Sequence, residues 1–214
     1  MLGLILSGLE RVAGLSADGP SSKTSLSTLT QDNPGKQSII RVSGKLRILT
    51  LDGTPYEMGL AHGRALRREI REIVEPWKKD LETGYKTDAA SFIKSLLAQT
   101  SFQSSINKWT PGLLDEVRGI ADGAGLDLET TYAYQLIDEA WVVSPELGSA
   151  KCTSIGARKT GENPAFVSQT LDIPGFYHGY QTVLHIRDRA AGLESLVLTI
   201  PGVVAARRRK GNYP

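Results

Sequence analysis

The sequence predicts an α+β fold, with helices over most of the first two-thirds of the chain and strands after them. Apolar residues recur at helical spacing from Met58 to Trp141, whereas short β-branched or apolar runs follow from Cys152 onward. A turn-rich bridge over 144–150 separates the two patterns. Because helices and strands form two blocks instead of alternating, a parallel βαβ sheet is not expected.

Residues 1–38 are predicted to be a flexible leader, followed by a single folded domain over 39–214. Most of the leader is rich in Ser, Thr, Gly and Pro, and its scattered apolar residues bury too little surface to offset the entropy of ordering. Order begins with two strand-like runs, 39–42 and 46–51, which flank a short turn as a hairpin.

Four helices are expected after the hairpin. The first is a long amphipathic helix over 58–81, predicted to bend at Pro76. The others are predicted at 89–99, 111–123 and 128–141, the last of them capped by Asp127. Beyond the bridge, the strand-like runs are 152–157, 165–171, 182–187 and 193–200.

The charge balance gives no sign of a nucleic-acid or anionic-membrane surface. The 214-residue chain carries 25 Lys and Arg against 23 Asp and Glu, a net charge of +2. Four of the bases are consecutive, Arg207 to Lys210, and without them 21 basic side chains face 23 acidic ones, a net charge of −2. The basic character therefore comes from the tail, and no nucleic-acid partner is predicted.

No membrane span, metal site or cofactor is predicted either. The apolar opening run, 1–9, is far shorter than the ~20 residues that cross a bilayer, and it lacks the basic leading region of a signal peptide. A cytoplasmic location is therefore favoured over secretion. Cys152 is the single cysteine, which excludes an internal disulfide and a cysteine-rich zinc site. No phosphate-binding loop and no His–carboxylate metal spacing is present.

Cys152 is the candidate nucleophile. A lone thiol at the start of an apolar strand is in most proteins a small core side chain. Its place where a turn-rich segment meets a strand also suits a nucleophile, which needs a base. That base is either a histidine, His178 or His185, or the thiol's own α-amino group, with a pKa of ~8, freed by cleavage of the Lys151–Cys152 bond. The residues alone leave both alternatives open.

Gly59 and Gly63 lie four apart on one helix face, a spacing that predicts a close approach of another backbone. We interpret these glycines and the intervening His62 as packing residues of the helix. They are not predicted to contact substrate.

Three segments together resemble a known family. The run Gly53-Thr54-Pro55-Tyr56-Glu57-Met58-Gly59-Leu60-Ala61-His62-Gly63 is followed later by Cys152-Thr153-Ser154 and then by Ser168-Gln169-Thr170-Leu171-Asp172. In order and spacing these segments resemble the acyl-coenzyme A:6-aminopenicillanic acid acyltransferase family, the C45 peptidases, which are N-terminal-nucleophile (Ntn) hydrolases. The resemblance covers 39–203.

This resemblance implies an αββα fold and a precursor that cuts itself before a Cys-Thr pair. On this sequence the scissile bond joins Lys151 to Cys152, so that 39–151 is the pro or α segment and 152–214 begins the β segment. Cys152 is then the nucleophile, and Asp172 holds the new amine or the nucleophile's backbone. Family members hydrolyse or transfer acyl groups on amides, so the expected partner is a small-molecule amide or acyl donor.

The resemblance predicts no substrate-binding residue. Related bile-salt hydrolases carry an arginine three residues before the aspartate, where this chain has Gln169. Family members also continue well past the point where this chain ends, and their further strands supply an oxyanion-hole asparagine. The second half of the sandwich is therefore expected to be incomplete, which would expose a sheet face that favours self-association.

Loss of an oxyanion donor typically costs ~10²- to 10³-fold in rate. Two hypotheses about the function of the chain follow from the sequence. The first is an autoprocessing Ntn amidohydrolase or acyltransferase. The alternative is a catalytically inactive, truncated family member, or a non-catalytic binding fragment.

Overall fold

The structure, a computed structural model, describes residues 4–7, 28–31, 37–42, 46–142, 152–170, 172–188 and 192–204. Its strands are β1 (Leu4–Ser7), β2 (Thr28–Gln31), β3 (Gln37–Val42), β4 (Leu46–Asp52), β5 (Thr153–Ala157), β6 (Phe166–Thr170), β7 (Thr182–Asp188) and β8 (Leu193–Thr199). Its helices are α1 (Pro55–Ala65), α2 (Arg67–Tyr85), α3 (Ala89–Gln99), α4 (Phe102–Trp109), α5 (Pro111–Ala124), α6 (Leu128–Tyr134) and α7 (Ile137–Val142), and Gly175–Tyr177 form a 3₁₀ turn. The predicted α+β class is confirmed.

The strands form two sheets. One has the order β1-β6-β5, and the other has the order β2-β3-β4-β7-β8. All pairs are antiparallel except β4 with β7, which run parallel and are connected through the helices. The observed ends of β3 and β4, which form the hairpin, and of the four later strands lie within two residues of the predicted ends.

Two short strands lie within the predicted leader. β1 pairs with β6, with Ile5 opposite Ser168, and β2 pairs with β3, with Leu29 opposite Ile39. These segments differ from the flexible leader that composition predicts, because hydrogen bonds to a neighbouring strand satisfy the backbone in a way that composition does not reveal. The remainder of 1–38 lies outside the described residues.

The core lies between one face of the five-stranded sheet and the helices. Leu49 and Leu51 of β4 and Leu184 and Ile186 of β7 are fully or almost fully buried on this face. The helical side of the same cluster comprises, among others, Met58, Leu66, Ile70, Ile73 and Trp77. The alternation along β4 and the helical spacing along 58–77 thus meet in one apolar layer.

The beginning of α1 is fixed by its own sequence. The Thr54 hydroxyl accepts the backbone N–H of Glu57 at 3.3 Å, and the Glu57 carboxylate accepts the backbone N–H of Thr54 at 2.8 Å. With Pro55 at the first helical position, this reciprocal capping box satisfies two N–H groups that a helix end leaves free. Helix α1 therefore starts at one defined residue.

The predicted helix over 58–81 is in fact two helices. The break is at Leu66, with φ −115° and ψ 23°, whereas Pro76 lies inside α2 without ending it. The expectation of one long helix over 58–81 is therefore wrong. Apolar spacing continues across the break because Leu66 is itself buried between the two helices, so periodicity alone cannot reveal it.

Two further helical predictions are corrected. The helix expected over 128–141 is interrupted after Tyr134, although Asp127 caps it as predicted, its carboxylate accepting the Thr130 N–H at 2.7 Å. Helix α4 was not predicted, because it is short and buries no residue. By contrast, α3 spans 89–99 as predicted, and α5 extends the predicted 111–123 by one residue.

Helices α1 and α5 pack backbone to backbone. A Cβ added to Gly59 would lie 2.0 Å from the Glu116 carbonyl oxygen, and one added to Gly63 would lie 2.4 Å from the Ile120 oxygen. The α5 side is reciprocal, since a Cβ on Gly119 would lie 2.3 Å from the Tyr56 oxygen. The close approach predicted for the α1 glycines is confirmed, and its partner is α5.

Candidate functional site

Cys152 lies immediately before β5, and its side chain is exposed. The exposed position contradicts the interpretation of this thiol as a small core side chain. It agrees with a thiol that solvent and other molecules reach. Lys151, on the other side of the predicted scissile bond, lies outside the described residues.

The β5–β6 pairing brings Cys152 and Asp172 to the same end of one antiparallel pair. In that pair Thr153 lies opposite Thr170, so Cys152 stands one residue before the paired region and Asp172 two residues after it. Asp172 is exposed as well. The two predicted site residues therefore lie at one end of the same strand pair, although twenty positions separate them in the sequence.

A hydroxyl holds the backbone next to the candidate nucleophile. The Thr153 N–H donates to Thr170 Oγ1, with an N···O distance of 3.2 Å. Thr170 was quoted in the sequence motif but given no role. The pairing register, which a single sequence does not determine, supplies this contact.

The three-stranded sheet leaves β5 open to solvent. Every residue of β5 is exposed, and the Ile155 side chain is 60% exposed. β5 is also at the edge of the described sheet. The site therefore stands on a strand that has one hydrogen-bonded neighbour in the described residues and an apolar side chain in water.

The structure does not form the Cys–His pair that the sequence left open. His185, on β7 of the other sheet, has Nδ1 3.5 Å from the Thr50 hydroxyl and Nε2 3.0 Å from the Glu194 carboxylate. His178 is exposed just after the 3₁₀ turn. Within the described part of the chain, no hydrogen bond joins Cys152 to either ring.

His62 is fully buried and acts as an acceptor. The Gly202 backbone N–H donates to its Nε2 at 3.0 Å, so the proton of the neutral ring is on Nδ1. Burial lowers the pKa of His62 from 6.5 to about 4, since desolvation penalises the charged ring. This contact agrees with the interpretation of His62 as a packing residue, and the sequence gave no sign of its partner.

Gln135 is a second residue that sequence analysis missed. Its amide donates to the Gly202 carbonyl at 2.8 Å and accepts the Val204 N–H at 2.8 Å. Gly202 has φ +85°, and a Cβ there would crowd Ile70. His62 and Gln135 thus fix the backbone after β8 at a position where a side chain would not fit.

Arginines near the start of α2 tie it to neighbouring elements. Arg67 and Arg71 donate to the Gly123 and Ala124 carbonyl oxygens, each at 2.9 Å, at the end of α5. Those carbonyls are the acceptors that a helix C-terminus leaves free. The two arginines therefore satisfy the C-terminal end of α5, and these contacts were not predicted.

The residues described here contain no group of three or more His, Cys, Asp or Glu side chains able to hold a metal ion. No helix among them is long and apolar enough to cross a membrane. The basic run Arg207 to Lys210 lies outside the described residues.

Comparison with known proteins gives distant relatives and no family. The chain matches no protein-family profile. It is similar to two Dictyostelium discoideum proteins, protein dcd1A, with 29% identity over 127 residues, and protein dcd1B, with 24% identity over 131 residues. The matches cover 52% and 54% of this chain but 27% and 25% of the relatives. The chain thus spans about a quarter of the length of the curated relatives that it matches.

Proposed function

We propose that this chain is an autoprocessing cysteine Ntn amidohydrolase or acyltransferase, which cleaves itself between Lys151 and Cys152 and acts on N-acyl amides. The observation that carries the proposal is the exposed thiol of Cys152 immediately before a strand, with Asp172 at the same end of the strand pair. A nucleophile that becomes a new N-terminus needs such a position, because its amine must reach its own side chain.

The fold that belongs to this proposal is the αββα sandwich of Ntn hydrolases. Two sheets and a helical layer packed on one face of the larger sheet support it. The hydrogen bond between His185 and Glu194 also supports the use of the α-amine as base, since this histidine has another partner in the other sheet.

Self-cleavage begins as an acyl shift from nitrogen to sulfur. Cys152 Sγ attacks the carbonyl carbon of Lys151, a C–S bond forms, and the peptide C–N bond breaks. The thiol proton passes to the departing nitrogen, which becomes the α-amine of Cys152. Water then hydrolyses the thioester: its hydroxyl joins the Lys151 carbonyl carbon, the C–S bond breaks, and its other proton goes to the sulfur. The new carboxylic acid releases its proton to solvent and becomes a carboxylate.

The same atoms then serve the mature enzyme. The α-amine of Cys152 takes the thiol proton, and the thiolate attacks the carbonyl carbon of a substrate amide. The proton is donated to the leaving amine, and the acyl group remains on sulfur as a thioester. Water or an acceptor amine then removes it. Asp172, at the same end of the strand pair, is assigned to hold the ammonium form of that amine.

Intact mass of the purified full chain tests this function. We expect two fragments, residues 1–151 and 152–214, and Edman sequencing of the smaller one should give Thr and Ser at cycles two and three. Cys152→Ala should remain a single chain, while Thr160→Ala, at the far end of the same strand pair, should cleave like the wild type. A wild-type chain that stays whole after prolonged incubation would refute the proposal.

A second candidate, self-association through an uncovered sheet, is favoured by one observation. β5 is exposed along its whole length, and none of its five residues is charged or a proline, the features that usually protect an edge. Ile155→Lys would place a charge in the middle of that edge. If β5 joins two copies, sedimentation should show a dimer in the wild type and a monomer in the variant.

A further inference from the structure

The hydrogen bond beside the nucleophile gives Thr170 a role in the proposed reaction. We propose that Thr170 is a positioning residue, whose hydroxyl oxygen holds the Thr153 amide and thereby fixes the direction of the Cys152 side chain. This inference rests on the proposed function. It adds a residue to which neither the sequence nor the comparisons give a task.

The argument starts from the planarity of the peptide bond. The Cα and carbonyl of Cys152 lie in one plane with the N–H of Thr153. A bond from that N–H to Thr170 Oγ1, at 3.2 Å, therefore anchors the Cα of the nucleophile as well. Once the plane is held, the thiol direction depends only on ψ and χ1 of Cys152.

The position of Cys152 outside the paired region makes this anchor matter. Register pairing ends at Thr153, and Cys152 is the next residue toward the cleavage point. In the precursor, Lys151 holds the cysteine from the other side. After cleavage that connection is gone, and a free terminus frays unless something ties it down. The Thr170 hydroxyl holds the first backbone N–H after the new N-terminus.

Acyl transfer is sensitive to this kind of positioning. The sulfur must come within about 3–3.5 Å of the carbonyl carbon along the correct direction. A mobile Cys152 spends less time in that geometry, and the rate falls without any loss of the thiol or its base. Thr170 contacts Thr153, not the reacting atoms, so its role is positioning.

The test compares Thr170→Val, which has the same shape without the hydroxyl, with Thr170→Ser, which keeps an acceptor. Cleavage of each full chain is followed by intact mass after synthesis in a cell-free system. We expect Thr170→Val to cleave about fivefold more slowly, the loss of one neutral hydrogen bond. Thr170→Ser should cleave at the wild-type rate. Thr160→Val makes the same change at the far end of the pair and should leave the rate unchanged.

Two measurements separate positioning from folding. The midpoint of thermal unfolding should be the same in all variants, since β5 is exposed and contributes nothing to the core. Amide exchange at Thr153 should accelerate in Thr170→Val alone. Equal cleavage rates for wild type and Thr170→Val would overturn the positioning role while leaving self-cleavage intact. A wild type that never cleaves would overturn both.

Discussion

The close contact of α1 and α5 makes a sharp prediction about one glycine. Gly119→Ala would place a Cβ 2.3 Å from the Tyr56 carbonyl oxygen and 2.6 Å from the Leu60 nitrogen. Both are backbone atoms of α1, so no side chain is able to rotate away. The helices would have to separate by about 1 Å to restore an ordinary contact of 3.4 Å or more.

The expected loss of stability is the difference between two effects. Overpacking in a tight interior typically costs ~1–3 kcal/mol, and two backbone contacts place this site at the upper end. Alanine in a helix interior recovers ~1 kcal/mol over glycine. The net loss is therefore about 2 kcal/mol, which lowers the melting temperature of a chain of this size by roughly 4–8 °C.

Gly84→Ala in α2 is the matched control. It makes the same substitution in a helix, at an exposed glycine whose Cβ would meet nothing within 4 Å. Thermal unfolding followed by circular dichroism should show Gly119→Ala below the wild type, and Gly84→Ala at or slightly above it. A Gly119→Ala protein as stable as the wild type would mean that the two helices do not pack by their glycines.

Three further predictions concern residues that hold the helical layer. The pKa of His62 is about 4 in the folded protein and about 6.5 in the unfolded chain, so the unfolded chain takes up the proton first as pH falls. The free energy of unfolding is therefore unaffected by this group above pH 6.5 and decreases progressively below it, by about 3 kcal/mol at pH 4. His62→Gln keeps an acceptor for the Gly202 N–H but cannot titrate. Urea unfolding at pH 7 and pH 4.5 should show a smaller loss of stability between the two pH values in this variant than in the wild type, and an equal loss would contradict the prediction. Gln135→Leu leaves Gly202 and Val204 backbone groups unpaired and should cost ~1–3 kcal/mol, with faster exchange of the Val204 amide. Asp127→Ala removes the cap of α6 and should lower the free energy of unfolding by ~1 kcal/mol in the same assay. Stability equal to that of the wild type would show that the cap does not stabilise the protein.

Local signals predicted most of the secondary structure. The Asp127 cap and the apolar run of β4 each depend on a few adjacent residues, and α6 and β4 begin where the sequence predicts. Helix α1 begins at Pro55, three residues before the predicted position 58, because the capping box of Thr54 and Glu57 was not part of the prediction. The break at Leu66 was missed because it leaves the apolar spacing intact. Helix α4, which buries no residue, and the four-residue strand β1 are too short to give a periodic signal.

The candidate site divides in the same way. Cys152 and Asp172 were named from their residue types, their spacing and the family resemblance, and the strand register brings them to one end of a pair. Gln135 was missed because a glutamine within a helical pattern gives no indication of a partner 67 positions away. The Thr153–Thr170 contact depends on register, which a shift of one residue would abolish.

The sequence by itself determined where most helices and strands form, because apolar spacing, helix caps and intrinsic propensities act between residues that are close in the chain. The glycines of α1 predicted a close contact with another backbone, but only the tertiary structure showed that the partner is α5. The same holds for the imidazole of His62, whose pKa is lowered by burial and whose hydrogen-bond partner is a glycine 140 positions later. Such pairings depend on which surfaces meet when the layers pack, and no local pattern contains that information.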